Sequence, residues 1–305
     1  MLISKSGPIT SGFSLLTAGE TCLYFAGLAE TTALFDTGAS IHLNGIFDRL
    51  AQSDLSPTDI EYVFPTNLTA ERIGGLPYLK KAQPQLTVIG TGAMKKTLAD
   101  DAFRKAVYAE NKKIASLYPT VTTPDPMGEE EYCSLLRIDK VYPINENIPL
   151  EDEVSVRIYS TPGHTAESLS YLISPLDILV GDLAFGYFRG KSLATPGGNL
   201  NLDLALQSIK GFKDIEFSAL CLPLHGVITG TQVQKHLDNI QQNTEDLKKE
   251  CLNALTAGVK DVDILASLDE WFFIAFSEDP IVSHCMQKTK AALWKQLKEQ
   301  HEATA

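Results

Sequence analysis

The chain has little histidine, little tryptophan and a deficit of positive charge: six His, two Trp, and 26 Lys and Arg against 38 Asp and Glu in 305 residues. A net charge of −12 argues against binding to a phosphate backbone, which depends on clustered Lys and Arg displacing counterions. No nucleic-acid partner is expected. The five cysteines, Cys22, Cys133, Cys221, Cys251 and Cys285, are scattered and never spaced as Cys-x-x-Cys. That pattern predicts neither a disulfide framework nor a structural zinc site, and it suits reduced thiols in a cytoplasmic setting. Apolar runs stay short of the roughly 18 residues a membrane span needs, and Met1 to Pro8 lacks an apolar stretch behind a basic start. Neither a membrane partner nor export is expected.

What is present is an ordinary globular composition, 44% hydrophobic and 21% charged, able to bury one large core or a core with an appendage. Short apolar runs at Gly12 to Leu16, Cys22 to Leu28 and Thr32 to Phe35 alternate with turn residues and predict antiparallel strands. Helical spacing follows from Ile41 to Leu50, then a strand at Ile60 to Phe64. Another strand is predicted at Leu86 to Ile89, followed by a helix from Ala93 to Ala115. Prolines at 119, 124 and 126 and the run Glu129-Glu130-Glu131 mark Ser116 to Tyr132 as a surface insertion. Strands are predicted again at Leu135 to Val141, Val154 to Tyr159, Ser168 to Ile173, Asp177 to Val180 and Ala219 to Leu222. Beyond Gly230 the pattern is helical, with Gly258 and Pro280 as breaks. Strands, helix, strands and closing helices fit two packed sheets covered by helices.

Five stretches fall in order at predicted strand ends: Leu34-Phe35-Asp36-Thr37-Gly38, Pro65 to Pro77, Thr161-Pro162-Gly163-His164-Thr165, Val180-Gly181-Asp182 and Leu222-Pro223-Leu224-His225-Gly226. This series resembles the metallo-β-lactamase superfamily over residues 10 to 230. The resemblance implies an α/β fold, the metallo-β-lactamase-type four-layer αβ/βα sandwich, with a C-terminal helical extension. Residues 1–230 would form the metallo-β-lactamase-like domain and 231–305 a helical extension packed on it.

In that superfamily, histidines and carboxylates on strand-end loops hold two metal ions, usually zinc, iron or manganese, and a bridging hydroxide attacks an ester, thioester, amide or phosphodiester. The first metal loop normally reads Thr-His-x-His-x-Asp-His-x-Gly-Gly. Here it reads Thr66-Asn67-Leu68-Thr69-Ala70-Glu71-Arg72-Ile73-Gly74-Gly75. Asn67 and Thr69 stand for two histidines, Glu71 for the aspartate and Arg72 for a third histidine. His164, Asp182 and His225 match the remaining ligands, Asp182 at the bridging position. The resemblance thus leaves His164 and Asp182 for one site and Glu71, Asp182 and His225 for the other.

A permanent guanidinium at a ligand position repels a cation and can neutralise neighbouring carboxylates in its place. Arg72 is therefore expected to pair with Asp182, and further with Glu71. The candidate pocket residues are His164, Asp182, His225 and Arg72, and the residual metal ligands Glu71, Asp182, His225 and His164. The expected cofactor is none, or a single weakly bound divalent zinc, iron or manganese ion.

Asp36 reads either as a support for the metal loop or as a turn aspartate. His42 follows closely enough to approach the pocket, whereas His236, His284 and His301 read as surface or packing residues of the tail. Gly74 and Gly75 read as close-packing positions. Ile264 to Phe273, which ends in three aromatics, reads first as core.

The functional expectation is a hydrolase-like fold with a degenerate metal site serving as a small-molecule binding or regulatory protein. The alternative is a mononuclear or unconventional hydrolase acting on an ester or thioester. The C-terminal helices are a candidate homodimer surface.

Overall fold

The structure, a computed structural model, describes residues 1–52, 55–181, 186–188, 191–193, 200–272 and 278–304. Alternation of burial along the strands builds two sheets. In Val154–Ser160, Val156 and Ile158 are buried, while Arg157 and Tyr159 face outward with the guanidinium over the phenol ring. One seven-stranded sheet runs in the order Gly7–Thr10, Phe13–Ala18, Thr21–Gly27, Thr32–Phe35, Tyr62–Phe64, Thr87–Gly90, Lys140–Val141. Its first pairings are antiparallel; from Phe35 opposite Phe64 onward they are parallel. The other seven-stranded sheet runs Leu2–Ile3, Val227–Thr229, Ala219–Cys221, Ile178–Val180, Leu169–Ser174, Val154–Ser160, Asn147–Glu151. Its single parallel pairing sets Val180 opposite Cys221.

The sheets meet through aromatic side chains: Phe35 stacks on Phe64 at 5.2 Å, and Tyr171 from the facing sheet meets Phe64 edge-on at 5.5 Å. The Tyr171 hydroxyl satisfies itself on the Pro65 carbonyl at 2.6 Å. Helices Leu202–Phe212 and Gln232–Thr256 cover the outer face of the second sheet through Ile209, Phe212, Val233, Leu237 and Ile240. Helices Leu43–Ala51, Leu76–Ala82, Asp101–Ser116 and Glu129–Leu135 accompany the first sheet. The result is the four-layer αβ/βα sandwich.

Two expected elements take a different form. The helix from Ala93 to Ala115 is two helices, Gly92–Ala99 and Asp101–Ser116, because the Asp100 carboxylate leaves helical geometry to accept from the Ala102 amide. The strand from Leu135 to Val141 is instead the end of helix Glu129–Leu135 followed by the two-residue strand Lys140–Val141. Three glutamates in the first turn favour that helix, since they face the positive end of its dipole. The insertion therefore ends in a helix.

The C-terminal segment has the expected breaks, giving helices Gln232–Thr256, Asp261–Phe272 and Pro280–Thr304. Ile264 and Leu268 pack with Leu202, Leu224, Val282, Met286 and Leu293 in one buried cluster. The side chains of Trp271, Phe272 and Phe273 lie outside the described residues. Asp279 ties the last helix to the body: its carboxylate accepts from the Glu20 and Ile281 amides, each at 3.0 Å, and from the Tyr118 hydroxyl.

Candidate functional site

The loops of interest leave the C-terminal ends of neighbouring strands: Asp36 follows Phe35, Pro65 to Thr69 follow Phe64, Gly181 follows Val180, and Leu222 to His225 follow Cys221. Parallel pairing is what brings these ends to one edge. Asp36 turns the chain with a φ of 61°. Its carboxylate accepts from the Thr66 amide at 2.7 Å and the Thr66 hydroxyl at 2.8 Å, so it supports the next loop, as one of the two readings held.

Within that loop, Asn67 and Thr69 spend their side chains on each other. The Asn67 carbonyl oxygen accepts from the Thr69 amide at 2.9 Å and from its hydroxyl at 2.7 Å, which starts the short helix Ala70–Ile73. The amide nitrogen of Asn67 is thereby left to donate to His164 Nδ1 at 3.2 Å. The His164 proton then sits on Nε2, which is buried with no hydrogen-bond partner among the described residues. Burial, reinforced by the Arg72 charge, pushes the His164 pKa down to about 3, so the ring is neutral at physiological pH.

Arg72 is 2% exposed. One terminal nitrogen donates to the Pro223 carbonyl at 3.0 Å, and the other donates to the Cys22 carbonyl at 3.3 Å and lies 3.7 Å from Asp36. Burial raises the Asp36 pKa to about 6 against the opposing pull of Arg72 and the Thr66 hydrogen bonds. The Cys22 thiol is pushed up to about 12 by burial and stays protonated. Among the described residues Arg72 thus finds its ion-pair partner in Asp36, on the preceding loop. The expected pairing with Glu71 is replaced by a different contact, because successive side chains of a helix point to different faces. Glu71 instead stands near the Cys285 thiol of the last helix, whose pKa is raised well above the usual range by burial first and by the Glu71 charge second. Asp182, the other expected partner, lies outside the described residues.

His225 has a φ of 70°, and its amide donates to the Glu20 carbonyl at 3.1 Å. His42 is buried beside the Asp36 loop: its Nδ1 accepts from the Ala39 amide at 3.2 Å, and desolvation lowers its pKa to about 4. His236 is buried, and His284 bonds Glu110 at 2.9 Å, so both are packing residues. Gly74 is held against the Asn111 side chain, where a Cβ would approach the amide oxygen to 2.4 Å. Among the described residues, no three His, Cys, Asp or Glu side chains converge as a metal site.

Beside this polar knot opens a cavity of about 610 Å³, between the loop at Leu68 to Glu71, the loop at Gly163 to Glu167, helix Asp101–Ser116 and the last helix. Phe103, Val107, Glu110, Cys285 and Lys288 line it and were not singled out from sequence. The signal available was the spacing of Phe103, Val107 and Glu110 along one helix face.

No protein-family model matches the chain. A metallo-β-lactamase fold-containing protein of Sulfurisphaera tokodaii is 22% identical over 218 residues, 71% of this chain and 77% of that protein. A glyoxylase B2 of Dictyostelium discoideum is 29% identical over 137 residues, 45% of this chain and 38% of that protein. Among solved structures, a metallo-β-lactamase family protein of Thermus thermophilus superposes with a TM-score of 0.61 at 15% identity, over 95% of both chains. The chain has the fold of the metallo-β-lactamase superfamily.

Proposed function

We propose that the dinuclear metal centre usual in this superfamily is degenerate in this chain, and that the protein binds a small molecule in the cavity beside it, as a binding or regulatory protein. The observation that carries the reading is the environment of Arg72. A guanidinium anchored on two backbone carbonyls and paired with Asp36 supplies a fixed positive charge at a position the superfamily gives to a metal-ligating histidine. The described residues do not fit the dinuclear centre. Asn67 and Thr69 replace imidazoles and are bonded to each other, and Glu71 faces Cys285. The cavity volume falls in the range of small-molecule pockets, and its lining is mainly apolar with a few charged groups.

Elemental analysis of protein purified without added metal tests the reading, with well below two metal ions per chain expected. Two tightly held transition-metal ions per chain would overturn it. Zinc calorimetry gives a paired control: Asn67→His, Thr69→His, Glu71→Asp and Arg72→His together restore the superfamily ligands and should bind zinc more tightly than the parent. The rival reading, a mononuclear or unconventional hydrolase of esters or thioesters using Glu71, Asp182 and His225, draws on the hydrolase fold and on the open Nε2 of His164. One equivalent of metal, together with ester hydrolysis abolished by Asp182→Asn, would favour it.

A further inference from the structure

Among the described residues around the 610 Å³ cavity, four carry charge and three of them are acidic: Glu71, Glu110 and Glu167 against Lys288. The single lysine is already committed, since its ammonium sits 2.7 Å from Glu110, which His284 also contacts at 2.9 Å. Glu110 is thereby neutralised in place, and its pKa is lowered by those two partners in spite of partial burial. The other two carboxylates have no cation beside them among the described residues. Glu71 lies on the short helix Ala70–Ile73 and Glu167 on the loop from Gly163, and both line the cavity. The described lining also carries the apolar side chains Leu68, Phe103, Val107, Leu204 and Ala292, beside the polar Thr69, Thr97, Thr165, Asn201 and Gln296. Two carboxylates with no ion-pair partner among the described residues, on a cavity with much apolar wall, select the sign and the shape of what enters. An anionic ligand would add repulsion in a low-dielectric space, whereas a cationic head would supply the missing counter-charge.

We infer that the cavity takes an amphipathic amine, its protonated nitrogen held between Glu71 and Glu167 and its hydrocarbon body laid against Phe103, Val107 and Leu204. The inference rests on the proposed small-molecule role of this cavity and names the chemical class. The net charge of −12 works in the same direction, drawing cations toward the molecule at low ionic strength.

Three probes of equal body and different head separate the claims: 4-phenylbutylamine, 4-phenylbutanol and 4-phenylbutyrate, titrated calorimetrically into the full chain at neutral pH. The amine should bind at least tenfold more tightly than the alcohol, and the carboxylate more weakly still. Glu71→Gln with Glu167→Gln should bring amine and alcohol together while leaving alcohol affinity within twofold. Ala292→Trp, which fills the cavity from the last helix, should weaken all three probes. An alcohol that binds as well as the amine, or a carboxylate that binds better, overturns the amine assignment and leaves the pocket reading standing. Binding of none of the three, or binding indifferent to Ala292→Trp, overturns the pocket reading itself. A tenfold amine preference that survives the double glutamine variant overturns the roles given to Glu71 and Glu167.

Discussion

Arg72 illustrates how much one buried charge constrains its surroundings. Asp36 and Pro223 come from different strand-end loops and Cys22 from the strand Thr21–Gly27, and all present oxygen to the same guanidinium. Arg72→Ala should cost about 3–5 kcal/mol in denaturant unfolding, since it leaves the Asp36 carboxylate buried without its counter-charge. A loss near zero would mean that the pair is solvated and contributes little. Asp36→Asn with Arg72→Met should recover part of the loss, the mark of coupled residues in a double-mutant cycle.

The buried histidines make a second prediction at this scale. His164, His42 and His236 keep folded-state pKa values near 3, 4 and 4, so each takes up a proton on unfolding below its unfolded value of about 6.5, and stability falls as pH drops. Asp36 acts in the opposite sense between its unfolded value and about 6, because the folded state holds its proton more tightly there. Over these four groups the net uptake on unfolding is about two protons, which contributes a stability loss of roughly 2.7 kcal/mol per pH unit between pH 6 and 4. His164→Asn should lower that slope by about one proton's worth, roughly 1.4 kcal/mol per unit. Stability flat across this range would contradict the burial of these rings.

Among the elements, the last helix depends on a connection made far away in sequence. Asp279 caps it at Ile281 and holds the Glu20 amide and the Tyr118 hydroxyl. Asp279→Ala should cost about 1–3 kcal/mol. It should also raise amide hydrogen exchange in Pro280–Thr304 ahead of the sheets. Equal loosening throughout would place the effect elsewhere. Gly226 is a comparable point on the other sheet: with a φ of 114°, a Cβ there would lie 1.9 Å from the Ile3 carbonyl oxygen, so Gly226→Ala should detach strand Leu2–Ile3 or prevent folding.

Element by element, the sequence was readable where local rules act alone. The strand ends at Phe35, Phe64 and Val180 and the helix breaks at Gly258 and Pro280 follow from composition and spacing, while the strand expected to reach Leu222 stops one residue earlier at Cys221. Helix Leu202–Phe212 went unread, although Asn201 caps it and Leu202, Ala205, Ile209 and Phe212 mark its buried face. Its partners are supplied by the second sheet. The choice of Asp36 over Glu71 as Arg72's partner was likewise out of reach, because it depends on which face a four-residue helix turns inward.

For the whole molecule, the C-terminal helices and the sandwich share apolar surface: Ile281 joins the main core, and Leu200, Leu202 and Leu224 pack with Leu247, Val282 and Leu293. Truncation after residue 230 should therefore expose that surface and give insoluble protein, while a soluble, cooperatively unfolding fragment would show that residues 1–230 stand alone. A homodimer through the C-terminal helices is a separate proposal, for sedimentation equilibrium to decide. No helix among the described residues is long and apolar enough to cross a membrane.

The guanidinium of Arg72 has a kinetic meaning beyond its charge. A divalent ion reaches its site by diffusion, leaves at a finite rate, and can be taken by a chelator or exchanged for another element. Arg72 arrives with the polypeptide, in a ratio of one per chain, and has no off-rate. On the proposed reading, in which Arg72 supplies the counter-charge in place of a metal, the readiness of these loops is set at synthesis and does not follow the supply of metal.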